Sequence, residues 1–308
     1  MFRHFFSILQ GYVVLSAAFV FGEELPPIHF NLNEQCVPVQ NADSGIYSYQ
    51  VLPDGQIFPD YLAYTNASRL GGVWNHDEDL GWIWDINLGG RSGLFRYGNK
   101  SAVQPEGFQI DIEGNAHLRL DLNNYGDGHS MDMDANDFRF GVPFSWGNKF
   151  HQIRTGYYHT SSHLGDERLI RLLAGGSEHQ RINYVREAWI LGYAYKPTLN
   201  TRLYAEADFA FDTGEETKPW HFLLGAEYSN PYRAGTFAGS PFAAVNVMLM
   251  QEHNYDGNIT VQTGWQWRGK CNQMFRIGLQ YFGGVSEQYE HIRQNREHKF
   301  GIGLWYDF

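Results

Sequence analysis

His159 and Ser161 lie two residues apart in the segment Phe150–Ser162, where Ile153, Tyr157, His159 and Ser161 share one parity and Arg154, Gly156, Tyr158 and Thr160 the other. On an extended strand, residues i and i+2 share a face, with Cα atoms about 6.5–7 Å apart. A leaning imidazole and a hydroxyl then come within hydrogen-bond reach, and the imidazole can take the serine proton. The next segment offers a third group by the same parity argument, because Val185, Trp189, Leu191 and Tyr193 share a face with Asn183 and Glu187. Either polar side chain is placed to orient His159, as an Asp or Asn does in other triads. Glu187 brings charge and Asn183 nearness to the loop, and the sequence leaves both open. If Ile153 and Tyr157 mark a lipid-facing side, His159 and Ser161 lie on it too, which is unusual for polar residues. The chemistry that fits is hydrolysis of a lipid ester. The competing reading makes Tyr157, Tyr158 and His159 anchors at headgroup depth.

Such a pair needs strands that cross a membrane. The last nine residues alternate Phe300, Ile302, Leu304, Tyr306 and Phe308 with Gly301, Gly303, Trp305 and Asp307, the pattern of a closing barrel strand. Gly107–Leu122 is longer, with Phe108, Ile110, Ile112, Gly114, Ala116, Leu118, Leu120 and Leu122 on one face and Gln109, Asp111, Glu113, Asn115, His117, Arg119 and Asp121 on the other. A membrane strand needs about 9–11 residues. The same test marks strands at 138–146, 203–211, 220–228, 259–267 and 275–281, and less regular ones at 69–74, 81–97, 150–162, 182–195 and 242–251. The expected fold is all-β, a transmembrane antiparallel barrel of about twelve strands, monomeric or dimeric. With the C-terminus in the periplasm, the short connections at 147–149, 196–200 and 268–273 fall on that side. The long polar ones at 123–136, 164–181 and 285–298 then fall outside, and the His159–Ser161 pair lies level with the outer leaflet.

Residues 1–22 read as a cleavable signal, with a basic leader, an apolar run from Phe5 to Phe21 and the small Gly22. Residues 23–68 are expected as a periplasmic segment in which Pro26, Pro27, Pro53 and Pro59 oppose regular structure, with a plug inside the barrel as the alternative. Residues 69–308 are the barrel. A mean hydropathy of −0.43 excludes a bundle of apolar helices but not alternating strands. The net charge of −11 argues against nucleic-acid binding. Cys36 and Cys271 fall on one side of the membrane, so one disulfide is compatible with export. Asn66-Ala67-Ser68 matches a glycosylation pattern that carries little weight here.

Other candidate chemistry is weaker. His159 and His163 stand about 13 Å apart along a strand, too far to share one zinc. Asp127, Asp132, Asp134 and Asp137 could offer oxygen ligands to Ca²⁺, though without EF-hand spacing, and a solvated acidic loop competes. The inward Arg119, Arg139, Arg154, Arg202, Arg268 and Arg276 face Asp111, Glu113, Glu206, Asp208 and Glu227. A paired lumen favours an enzyme or a scaffold, and a clear one a pore. Leu169, Ile170, Leu172 and Leu173 fit a short amphipathic helix at the membrane surface or a partner site.

The segments at 58–63 (FPDYLA), 140–143 (FGVP), 156–168 (GYYHTSSHLGDER), 241–246 (PFAAVN) and 264–269 (GWQWRG) resemble the bacterial domain of unknown function family 1207, from about Val51 to the C-terminus. That resemblance implies an exported, barrel-like protein of the bacterial outer membrane. The His-x-Ser hairpin is also similar to that of outer-membrane phospholipase A and lipid A deacylase, which use this pair on the outer face. Carried over, His159 would be the base, Ser161 the nucleophile, Asn183 or Glu187 the orienting group, and outer-membrane lipids the substrate. In those families an Asn commonly follows the serine; here Ser162 does, which leaves the oxyanion hole without that support. The other readings are a small-solute pore or a structural, surface-interaction barrel.

Overall fold

The computed structural model describes residues 47–123, 131–175, 182, 184–214, 217–231, 237–269, 271–293 and 296–308. They form a closed antiparallel barrel of twelve strands with one further strand attached. The first, β1 (Ser48–Val51), is the addition. The barrel runs through β2 (Leu70–Asp77), β3 (Gly81–Gly98), β4 (Gly107–Asp121), β5 (Asp132–Gly147), β6 (His151–Leu164), β7 (Val185–Thr198), β8 (Thr201–Thr213), β9 (Trp220–Ser229), β10 (Ser240–Met250), β11 (Asp256–Arg268), β12 (Met274–Gly284) and β13 (Glu297–Asp307). Strand β13 closes the barrel on β2, with Lys299 opposite Asp77 and Tyr306 opposite Leu70. β1 pairs with the far end of β3, where β2 does not reach. No helix among the described residues is long and apolar enough to cross a membrane; strands do the crossing. This is an outer-membrane β-barrel.

Burial follows the parity of the sequence. On β4, Gln109, Asp111, Glu113, His117 and Arg119 are buried inside while Phe108 and Ile112 are exposed outside. A barrel interior of this size must be filled or left wet. Here it is filled with ion pairs: Arg91 on Asp111 at 2.5 Å, Arg139 on Glu113 at 3.2 Å, Arg154 on Glu206 at 2.5 Å, Arg202 on Glu227 at 2.9 Å and Arg186 on Asp208 at 3.0 Å. Buried pairs add little net stability over an apolar core, but losing one partner leaves an uncompensated charge.

Two chain segments complete the filling. Ile57, Phe58, Tyr61, Leu62, Ala63 and Ala67 are all buried. Their stretch of chain is held from around the wall: Gln152 donates to the Ile57 carbonyl, Arg202 to those of Pro59 and Asp60, Arg276 to that of Leu62 and Asn87 to that of Thr65. Asp60 pairs with Arg91 at 3.2 Å and Arg154 at 3.4 Å, and Tyr61 stacks on Tyr204 with centroids 3.8 Å apart.

The second segment corrects a sequence expectation. Residues 285–298 read as a polar external loop, but Val285 to Ile292 are buried. Glu287 pairs with Lys299 and with Arg119, the Ile182 amide donates to Glu290 at 3.1 Å, and Tyr289 stacks on Tyr184 at 4.2 Å. The polarity that suggested solvent is matched to a polar lumen. A smaller correction concerns β5, which starts at Asp132 and pairs there with Asp121. Arg171, on the helix α1 (Asp166–Ala174), neutralises Asp132. The expected signal at 1–22, Cys36, Asn183 and Asp127 lie outside the described residues. Cys271 is disulfide-bonded.

Candidate functional site

Strand β6 places Ile153, Thr155, Tyr157, His159 and Ser161 on the outer wall, because the even-numbered residues between them are buried. His159 stands opposite Phe140 on β5 and opposite Glu187 on β7. That register brings the His159 Nδ1 to 2.7 Å from Glu187 Oε1. An ionised carboxylate only accepts, so Nδ1 carries the proton and Nε2 is left as the acceptor. The Tyr157 hydroxyl donates to the other Glu187 oxygen, so both carboxylate oxygens are engaged and the imidazole is oriented from one side.

Ser161 lies opposite Phe138 and Val185, two residues from His159 on the same face. Its hydroxyl makes no hydrogen bond among the described residues. Catalytic contacts in empty sites are often long and tighten with substrate bound. A register shift between Glu187 and Ala188 sets Glu187 opposite Asp212 and Ala188 opposite Ala210, which makes Phe211 the extra residue of a bulge. Bulges commonly re-aim side chains beside active sites. Phe211 is exposed, and its ring lies 6.4 Å from that of Tyr157, walling the site on the β8 side.

On the other side a shallow apolar groove begins. The registers run Gly90 to Gly114 to Phe140 to His159 across β3–β6, three strand spacings or roughly 14 Å. Ile112, Phe140 and Phe308 line a groove of about 400 Å³ over the two glycines. Strands in such barrels are tilted, so this row slopes away from the rim: His159 is near the loop end of β6, whereas Gly90 is midway along β3.

Of the acidic residues considered for calcium, the described ones, Asp132, Asp134 and Asp137, do not converge. Asp132 pairs with Arg171, Asp134 with Arg168 and with His291 at 2.8 Å, and Asp137 accepts from Ser162 and the Tyr289 amide. One cluster escaped the sequence reading. Asp85, His117 and Glu287 present ligand atoms within 4.8 Å of one another inside the barrel. Arg119 and Lys299 already bind Asp85 at 2.9 and 3.0 Å, supplying the positive charge a metal would bring. Only the inward fold of 285–292 brings Glu287 there, and no local sequence pattern announces it.

Among solved structures, the chain is similar to a dimer of the outer membrane phospholipase of Salmonella typhi with bound calcium, with a TM-score of 0.52, 11% identity, and coverage of 81% of this chain and 91% of that one. Outer membrane phospholipase A from Escherichia coli gives 0.49 at 9% identity over 81% and 91% of the two chains. The KdgM porin gives 0.42 at 10% over 78% and 99%. At these identities the likeness is one of fold. No curated protein matches the sequence. Residues 31–308 match the family model described as protein of unknown function DUF1207, and the chain belongs to that family.

Proposed function

We propose that this barrel is a serine acyl-hydrolase acting on ester-linked lipids of the outer leaflet. The observation that carries the reading is the 2.7 Å contact between His159 and Glu187 on the lipid-facing wall, with Ser161 beside it on the same face. A carboxylate–imidazole pair in a lipid-facing position needs a reason, since polar groups facing hydrocarbon are costly. Glu187 fixes the imidazole tautomer, His159 Nε2 takes the Ser161 proton, and the serine oxygen attacks the ester carbonyl. The ester C–O bond breaks, the lipid alcohol leaves with the proton from His159, and water activated by His159 then hydrolyses the acyl-enzyme to free fatty acid and serine. The groove over Gly90 and Gly114 supplies a path for the acyl chain as it descends from the ester into the bilayer. The paired interior also favours an enzyme or scaffold over an open pore. The Salmonella typhi phospholipase is described as a calcium-bound dimer, so both features enter the test.

Refolded protein in detergent micelles is assayed for fatty-acid release from phospholipid and from lipopolysaccharide, with and without calcium, and cross-linked to score dimers. Ser161→Ala is expected to abolish release while leaving heat-modifiable barrel folding unchanged. Release that persists in that variant removes Ser161 from the mechanism. No release from the native chain under any condition overturns the hydrolase reading.

A further inference from the structure

At the end of the barrel opposite the His159 site, a cavity of about 130 Å³ opens beside the foot of the inner segment. Its charged lining is Asp60, Lys196, Arg202, Glu227, Arg268 and Asp307, three of each sign. The carboxylates are all engaged: Asp60 by Arg91 and Arg154, Glu227 by Arg202, and Asp307 by Arg69 and Arg276 at 3.1 Å each. Arg202 is used up as well, since it also donates to two carbonyls of the inner segment. Lys196 and Arg268 remain, and neither forms an ion pair among the described residues. Arg268 binds the Asn272 amide oxygen and the Ser229 hydroxyl, both at 2.6 Å, while its Nε is buried without an acceptor.

Among the described residues the cavity therefore holds two cations outside any ion pair, with Asp307 and Glu227 acting on Arg268 and Glu106 on Lys196 only at longer range, and one guanidinium nitrogen without an acceptor. A buried donor without a partner is costly and is normally satisfied by protein or ligand. We infer that this periplasmic mouth is a binding site for a small anion carrying a phosphate or carboxylate group, held by Arg268 and Lys196. The guanidinium fork matches either group. The occupant would touch Pro59 and Asp60, so the site lies against the segment that fills the lumen.

The test is calorimetric titration of the refolded full-length chain at low salt with inorganic phosphate and, separately, with citrate. Saturable binding is expected to at least one of them, weakened roughly tenfold or more by Arg268→Gln and by Lys196→Gln, as loss of a charged hydrogen-bond partner implies. Arg296→Gln, an exposed cation paired with Asp256 away from the mouth, serves as the control and should leave binding unchanged. Folding of each variant is checked by heat-modifiable mobility; if Arg268→Gln fails to fold, Lys196→Gln decides. No saturable binding of either anion, or binding lost equally in the control, or binding unaffected by the mouth substitutions, overturns the assignment.

Discussion

Glu187 and Tyr157 make separable contributions to the outer-wall site. Glu187 accepts the hydrogen bond from His159 Nδ1–H, and the Tyr157 hydroxyl donates to its other oxygen. Glu187→Gln keeps the shape but can present an amide N–H to the ring, which favours the wrong tautomer; in serine hydrolases that change costs about 10⁴-fold in turnover. A loss of about 10²–10⁴-fold in fatty-acid release is expected for Glu187→Gln, in the range general-base chemistry spans. Tyr157→Phe leaves the His159 contact in place and should cost less than about tenfold. Equal losses in the two variants would show that Glu187 does no more than hold the local packing. Asn183, the other candidate for the orienting role, lies outside the described residues, while register sets Glu187 opposite His159.

The strands were legible because lipid outside and polar lumen inside impose a period of two, and a run such as Phe108 to Leu120 fits no other environment. The outward placement of His159 and Ser161 came from the same rule. What alternation misses is equally physical. Asp132 to Asp137 breaks the pattern, so the start of β5 was invisible until α1 provided Arg168 and Arg171 against its acids. The stretch from Ser286 to His291 reads as solvent-exposed because polarity marks water and a polar lumen alike; only the tertiary partners Lys299 and Asp134 tell them apart. The bulge that projects Phe211 has no local signature either. The groove between β3 and β5 is a product of register, since it requires Gly90 and Gly114 to face each other. A Cβ at Gly114 would meet nothing nearer than the Arg139 carbonyl oxygen at 3.7 Å, whereas one at Gly90 would press on the Phe308 ring at 3.0 Å. Gly114→Leu should therefore fold and fill the groove. Under the hydrolase reading it lowers release from long-chain esters while sparing short-chain ones, and paired assays on C4 and C16 esters measure the ratio. An unchanged ratio would mean the acyl chain takes another path.

At the scale of the whole molecule, the wall and the inner segment are tied by a few charges, and Asp60 is the principal one. It accepts from Arg91 on β3, from Arg154 on β6 and from the Ser68 amide at 3.2 Å, while Arg202 grips the carbonyls of Pro59 and of Asp60 itself. Asp60→Asn keeps the volume and removes the charge, leaving Arg91 and Arg154 with less compensation in a buried setting. Breaking a buried pair in this way costs about 3–5 kcal/mol, to be read as a lower urea midpoint for loss of heat-modifiable folding. The cost falls on the inner segment, because the wall keeps its strand-to-strand hydrogen bonds all the way round. The segment should then leave its seat some of the time. The passage uncovered would be lined by Arg91, Arg154 and Arg202 together with their partners Asp111, Glu206 and Glu227, so it should conduct with little preference for either sign. Planar-bilayer recording checks this directly: the native chain is expected to show no stable conductance, and Asp60→Asn to show conductance steps. A native chain that already conducts would mean the lumen is not sealed by residues 57–68. A silent Asp60→Asn with an unchanged midpoint would shift the weight of the seal from Asp60 to the carbonyl contacts of Arg202 and Arg276.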